Sequence, residues 1–127
     1  MTLKLGVVMD PIATITIKKD TTFAMLLAAQ ALGWELHYFE QADLYAHGHE
    51  AFGRTRRLSV QDNPKGWFTF HGARELPLAE LDVILMRKDP PFDMEYIYTT
   101  YLLELAEKAG TLVVNQPRSL RDANEKF

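Results

Sequence analysis

Cysteine is absent from all 127 residues, which excludes disulfides, thiol nucleophiles and thiolate metal sites. Two phosphate-cradling patterns are also missing: neither Gly-x-x-x-x-Gly-Lys-Ser/Thr nor Gly-x-Gly-x-x-Gly occurs. No Gly-x-Ser-x-Gly elbow supports serine nucleophile chemistry. The chain lacks a basic surplus. Its net charge of -3 argues against a general binder of nucleic acid or anionic membranes. No segment reaches the roughly 20 consecutive apolar residues that span a bilayer. The first residues, Met1 to Gly6, lead straight into an apolar run without the pattern of a signal peptide, so a cytoplasmic protein is expected. What remains is an ordinary globular composition, 47% hydrophobic and 24% charged, sized for one domain with its own core.

Periodicity predicts an α/β chain. Leu3 to Met9 and Glu35 to Phe39 read as buried strands. Between them Phe23, Leu26, Leu27 and Ala31 repeat at helical spacing, with Asp20 or Thr21 as N-cap and Gly33 as the closing residue. A β-α-β unit implies parallel pairing with a right-handed crossover. From Asp43 to Leu78 the character changes. Glycines punctuate aromatic and β-branched stretches, and Asn63-Pro64-Lys65-Gly66 is a turn signal, so an inserted antiparallel hairpin or small meander is expected. The α/β pattern then resumes with a strand over Asp82 to Met86. A helix capped by Asp93 follows, with Tyr98, Tyr101, Leu102, Leu105 and Ala109 on one face and Gly110 as its stop. Thr111 to Val114 is the next strand. Ser119 and Asp122 then suggest a capping box opening a helix with an apolar stripe of Leu120, Ala123 and Phe127, which looks cut short.

If the strands are parallel, their carboxyl ends share one edge, where ligands of open α/β sheets bind. That edge would collect Asp10, the Arg87-Lys88-Asp89 group and Asn115-Gln116, with Lys18, Lys19 and Asp20 overhanging it. Such a mixture can hold carboxylate or phosphate through its cations and orient amines through its carboxylates. The competing structural reading has Asp10 and Asp93 capping helices, solvated lysines and an Arg87–Asp89 pair. His47 and His49 flank Gly48, but no carboxylate set completes a metal site around them. Arg54-Thr55-Arg56-Arg57 reads as a solvated hairpin face. The residues alone show a polar site and no complete catalytic set.

Three long segments stand out: Lys4 to Ile12 continued by Ile17 to Met25, then Leu81 to Asp93 (LDVILMRKDPPFD), then Gly110 to Lys126 (GTLVVNQPRSLRDANEK). All three closely resemble bacterial glutathione synthetase. The likeness runs along essentially the whole chain in one order, and departures concentrate in the glycine-punctuated middle. It implies a Rossmann-like, three-layer pre-ATP-grasp domain over residues 1–127, with a mainly parallel sheet and the inserted meander. The ATP-grasp region that follows in the family would be absent. The implied reaction of the full-length enzyme joins glycine to γ-glutamylcysteine, using ATP and magnesium held mainly by that other region. The implied partners are those substrates, the chain's own ATP-grasp domain and further copies in a homo-oligomer, with no nucleic acid or membrane. Lys18, Lys19 and Asp20 match the family's first loop, and Arg87, Lys88 and Asp89 its second. On that basis Lys18 and Arg87 are expected to face substrate charge, with Asp20 and Asp89 orienting them or an amine. Asp10, Asn115 and Gln116 would shape the cleft floor. No residue of this chain is assigned a catalytic step, and no cofactor is expected on the fragment alone. Alternatives are a free-standing small-molecule binding module or a dimerisation module of the same fold.

Overall fold

The computed structural model describes residues 3–18, 20–87 and 94–115. In chain order these form β1 (Lys4–Val8), α1 (Thr21–Ala31), β2 (Glu35–Phe39), β3 (Leu44–His47), β4 (Glu50–Val60), β5 (Phe68–Pro77), β6 (Val83–Met86), α2 (Met94–Lys108) and β7 (Leu112–Asn115). Four strands, in the order β2-β1-β6-β7, pair in parallel, as the β-α-β pattern predicts. Beyond β2 the sheet turns antiparallel. The long strand β4 takes β2 through Arg56 to Leu58 and β3 through Glu50 to Gly53, with β5 along its other edge. The expected insertion is therefore a three-stranded meander fused to the main sheet.

Alternation along the strands builds two cores. Leu5 and Val7, Leu36 and Tyr38, and Leu85 face Phe23, Leu26 and Ala29 of α1. Val8, Phe39, Ile84 and Met86 instead join Leu102, Leu103 and Ala106 of α2. One helix on each face makes the predicted three layers, and strands buried on both faces need the continuous apolar runs seen in the sequence. Phe39 reaches its core through a slot in which Gly6 and Gly53 leave room for the ring. A Cβ on either glycine would press on it.

The helix limits follow local chemistry. Asp20 Oδ1 accepts from the Phe23 amide at 2.7 Å, capping α1. At the other end the Gly33 and Trp34 amides donate to the Gln30 and Ala29 carbonyls, with Gly33 at φ +84°. Gly110 and Thr111 repeat this closure on Glu107 and Ala106. Both are Schellman motifs, and the positive φ they require is why glycine ends each helix.

The face predicted for α2 needs correction. Tyr101 is 63% exposed and Ala109 is exposed, whereas Thr99, Leu102, Leu103 and Ala106 are buried. Those four positions follow the i, i+3, i+4, i+7 helical set, and the bulky tyrosine sits beside the stripe instead of in it. The side chain of Tyr98, the Asp93 cap and everything from Gln116 to Phe127 lie outside the described residues.

Candidate functional site

The chain leaves β1 through α1 to β2 on one side, and leaves β6 through α2 to β7 on the other. The direction of travel reverses between β1 and β6. In open α/β sheets the crevice outside the carboxyl ends at such a point is where ligands bind. Asp10 follows β1 there, and Arg87 follows β6.

Arg87 is fixed twice. Its backbone amide donates to the Val8 carbonyl at 2.8 Å, carrying the β1–β6 ladder one residue past β6. Its Nε donates to Thr22 Oγ1 at 3.0 Å in the first turn of α1. The guanidinium is thereby brought to a helix N-terminus, where the helix dipole favours negative charge. Lys18 is exposed on the connection that reaches α1 through Asp20, and Asp10 and Asp20 are half-buried. The resulting corner has cations, helix-end amides and two carboxylates, which suits a ligand carrying both carboxylate and amine.

Ile12 anchors the connection between β1 and α1. It is 1% exposed, its amide donates to Tyr38 Oη at 3.1 Å, and its carbonyl accepts from Trp67 Nε1 at 2.9 Å. Tyr38 Oη in turn donates to Glu40 Oε2 at 2.7 Å, and that oxygen also accepts from Arg56 at 3.3 Å. Burial and the bond to Glu40 push the Tyr38 phenol well above its ordinary value, so it stays a protonated donor. The Arg56 guanidinium lies 5.0 Å from the Tyr38 ring centroid and 4.3 Å from that of Phe70, close enough for cation–π attraction to both. Arg56 is thus stacked and paired, while Arg54 and Arg57 of the same run are exposed, as the solvated-face reading expects.

Of the residues proposed from sequence, Asp10, Lys18, Asp20 and Arg87 are brought to one edge. Asn115 ends β7 on that same edge. Asp20 is also the α1 cap, as the helix pattern predicted, and Lys18 is exposed, which agrees with the solvated lysines of the competing structural reading. Lys19, Lys88, Asp89 and Gln116 lie outside the described residues. Glu40, Thr22, Tyr38 and Trp67 were missed. Glu40 directly follows the second predicted strand, so the strand-end rule applied to β2 would have found it. Thr22 and Trp67 act through tertiary contacts and leave no local signal. Among the described residues no group of three His, Asp or Glu side chains is placed to hold a metal, and no helix is long and apolar enough to cross a membrane.

Comparison with known proteins gives this edge a context. Residues 3–121 match the family model described as prokaryotic glutathione synthetase, N-terminal domain. The glutathione synthetase of Yersinia pestis is 64% identical over 125 residues, covering 98% of this chain and 39% of that protein. The glutathione synthetase of Salmonella typhimurium is 65% identical over 125 residues, covering 98% of this chain and 40% of that protein. The chain thus spans about 40% of the length of the curated relatives it matches. It belongs to the prokaryotic glutathione synthetase family, within which it corresponds to the N-terminal domain.

Proposed function

We propose that residues 1–127 form the pre-ATP-grasp domain of a glutathione synthetase and supply one wall of its substrate cleft. The observation that carries this reading is the Arg87–Thr22 bond, which gathers the β6 end and the α1 N-terminus at the reversal point of the sheet. In the whole protein the reaction is an ATP-dependent ligation of glycine to γ-glutamylcysteine. Lys18 and Arg87 face substrate carboxylate or phosphate charge. Asp20 and Asp89 orient those cations or an amine, Lys19 and Lys88 add positive charge, and Asp10, Asn115 and Gln116 shape the floor.

No reaction step is assigned to the residues of this chain. ATP and magnesium belong, on this reading, to the other part of the protein. Cytoplasmic location and homo-oligomeric assembly are parts of the same proposal. Arg87→Ala in the full-length enzyme tests the wall. We expect KM for γ-glutamylcysteine or glycine to rise about tenfold, since hydrogen bonds to charged groups contribute about 1.5–3 kcal/mol. Unchanged kinetics in a folded variant would remove Arg87 from the cleft and this reading with it.

A further inference from the structure

The connection from β1 to α1 carries the proposed substrate contacts Lys18 and Asp20 and the proposed floor residue Asp10, but little regular structure of its own. It is held at Ile12, and the grip comes from two distant parts of the chain. Tyr38 on β2 accepts from the Ile12 amide. Trp67, 55 residues away in sequence, donates its indole N–H to the Ile12 carbonyl. Ile12 is fully buried, so neither backbone group has water as a substitute partner.

The indole is itself well seated. Trp67 closes the turn between β4 and β5, and its own carbonyl accepts from the Gln61 amide at 3.0 Å. From it an aromatic row runs back to the other clamp. Trp67 and Phe68 are 5.9 Å apart, Phe68 and Phe70 5.2 Å, and Phe70 and Tyr38 5.0 Å between centroids. Edge-on and tilted contacts at these separations are favourable and fix ring orientation. The two groups that hold Ile12 are therefore joined by one aromatic row, which ties Trp67 at the turn of the meander to Tyr38 on β2 of the parallel sheet.

We infer that Trp67 is a positioning residue. Through the Ile12 carbonyl it sets where the β1–α1 connection presents Asp10, Lys18 and Asp20, so the meander tunes substrate affinity at an edge it does not itself form. This rests on the proposed cleft-wall reading and adds a specificity-setting role to a part of the chain assigned none. Small displacements matter here because charged contacts and orientation both fall off steeply with misplacement.

The test uses the full-length enzyme. Trp67→Phe keeps the aromatic row and deletes the N–H. KM for the substrate held at this edge should rise three- to tenfold, on the order of the equilibrium worth of one hydrogen bond, with kcat nearly unchanged. Tyr38→Phe, which leaves the Ile12 amide without its acceptor, should shift KM in the same direction. The double variant should be non-additive, because both changes act on one residue. Ser59→Ala, which removes the exposed Ser59–His71 bond of the same meander, should leave KM alone.

If Trp67→Phe lowers kcat with KM unchanged, the tryptophan only maintains the folded fraction and the inference is overturned. If Trp67→Phe does not fold, Tyr38→Phe decides: a wild-type KM there overturns it equally. Arg87→Ala separates this idea from the one beneath it. A raised KM for Arg87→Ala beside a wild-type KM for Trp67→Phe defeats the positioning role alone, whereas wild-type values for both defeat the cleft wall.

Discussion

A single methyl group is enough to test the packing around Phe39. The ring fills the space that Gly6 and Gly53 leave open, and at Gly53 the obstacle is the body of the ring itself, with Leu44 behind it. Gly53→Ala should therefore destabilise the domain by about 1–3 kcal/mol, the usual cost of overpacking a closed core. Chemical denaturation should show a lower midpoint with an unchanged slope. His37 gives a second residue-scale prediction. It is 2% exposed, and its ring nitrogens lie 3.1 Å from Glu35 Oε1 and 3.4 Å from Thr55 Oγ1. Burial lowers its pKa below 6.5 more strongly than the Glu35 charge raises it, and Arg57 and Arg74 act with burial. The unfolded chain then takes up a proton that the folded chain refuses. The stabilising contribution is present above about pH 6.5 and is lost as pH falls below it toward the folded value. Urea midpoints measured from pH 7.5 to 5.5 should fall for the parent chain, and the slope should be shallower for His37→Gln.

At the scale of the element, Asp20 has two jobs that substitution can separate. As N-cap of α1 its carboxylate satisfies the Phe23 amide, and Asp20→Ala should cost about 1 kcal/mol, a drop in Tm of roughly 4 °C. Asp20→Asn keeps the acceptor and should restore most of that stability. If the carboxylate charge also orients substrate, Asp20→Asn in the full-length enzyme will raise KM despite its normal Tm. A normal KM would reduce Asp20 to a cap. This cap, together with Gly33 and Gly110, was legible in the sequence because capping is decided within a few residues. So were the four parallel strands, since apolar runs flanked by breakers are local too. The stripe on α2 was misplaced by about one residue because Tyr101 weighs heavily in any count of apolar mass, while the buried Thr99 weighs little. The meander was visible as such, but nothing local says that β4 serves β2, β3 and β5 at once. The Arg87–Thr22 and Trp67–Ile12 bonds join residues remote in the chain, so the site could be listed from sequence but not assembled.

For the whole molecule, the described edge is, on the proposed reading, one wall of an enclosure. Ligand sites bury most of a small molecule's surface, and an open sheet edge cannot do that unaided. We therefore expect the isolated chain to form no glutathione from ATP, glycine and γ-glutamylcysteine, and to give weak or undetectable heats with γ-glutamylcysteine in calorimetry. Turnover by the purified chain would refute the placement of the chemistry in the remaining part of the protein. Family membership rests on the whole length of the match and does not depend on that outcome.

The central place of β1 also governs the order in which this protein can be completed. Of the described strands, β1 leaves the ribosome first. β2 fills one of its edges after some thirty residues, with Lys4 opposite Glu35. Its other edge waits for β6, and the bond from the Lys4 amide to Asp82 spans 78 residues. At ~5–20 residues per second that interval lasts roughly 4–16 seconds, during which a flat apolar strand edge stands unpaired in the nascent chain. The folded domain shows none of this hazard, but its synthesis passes through it every time.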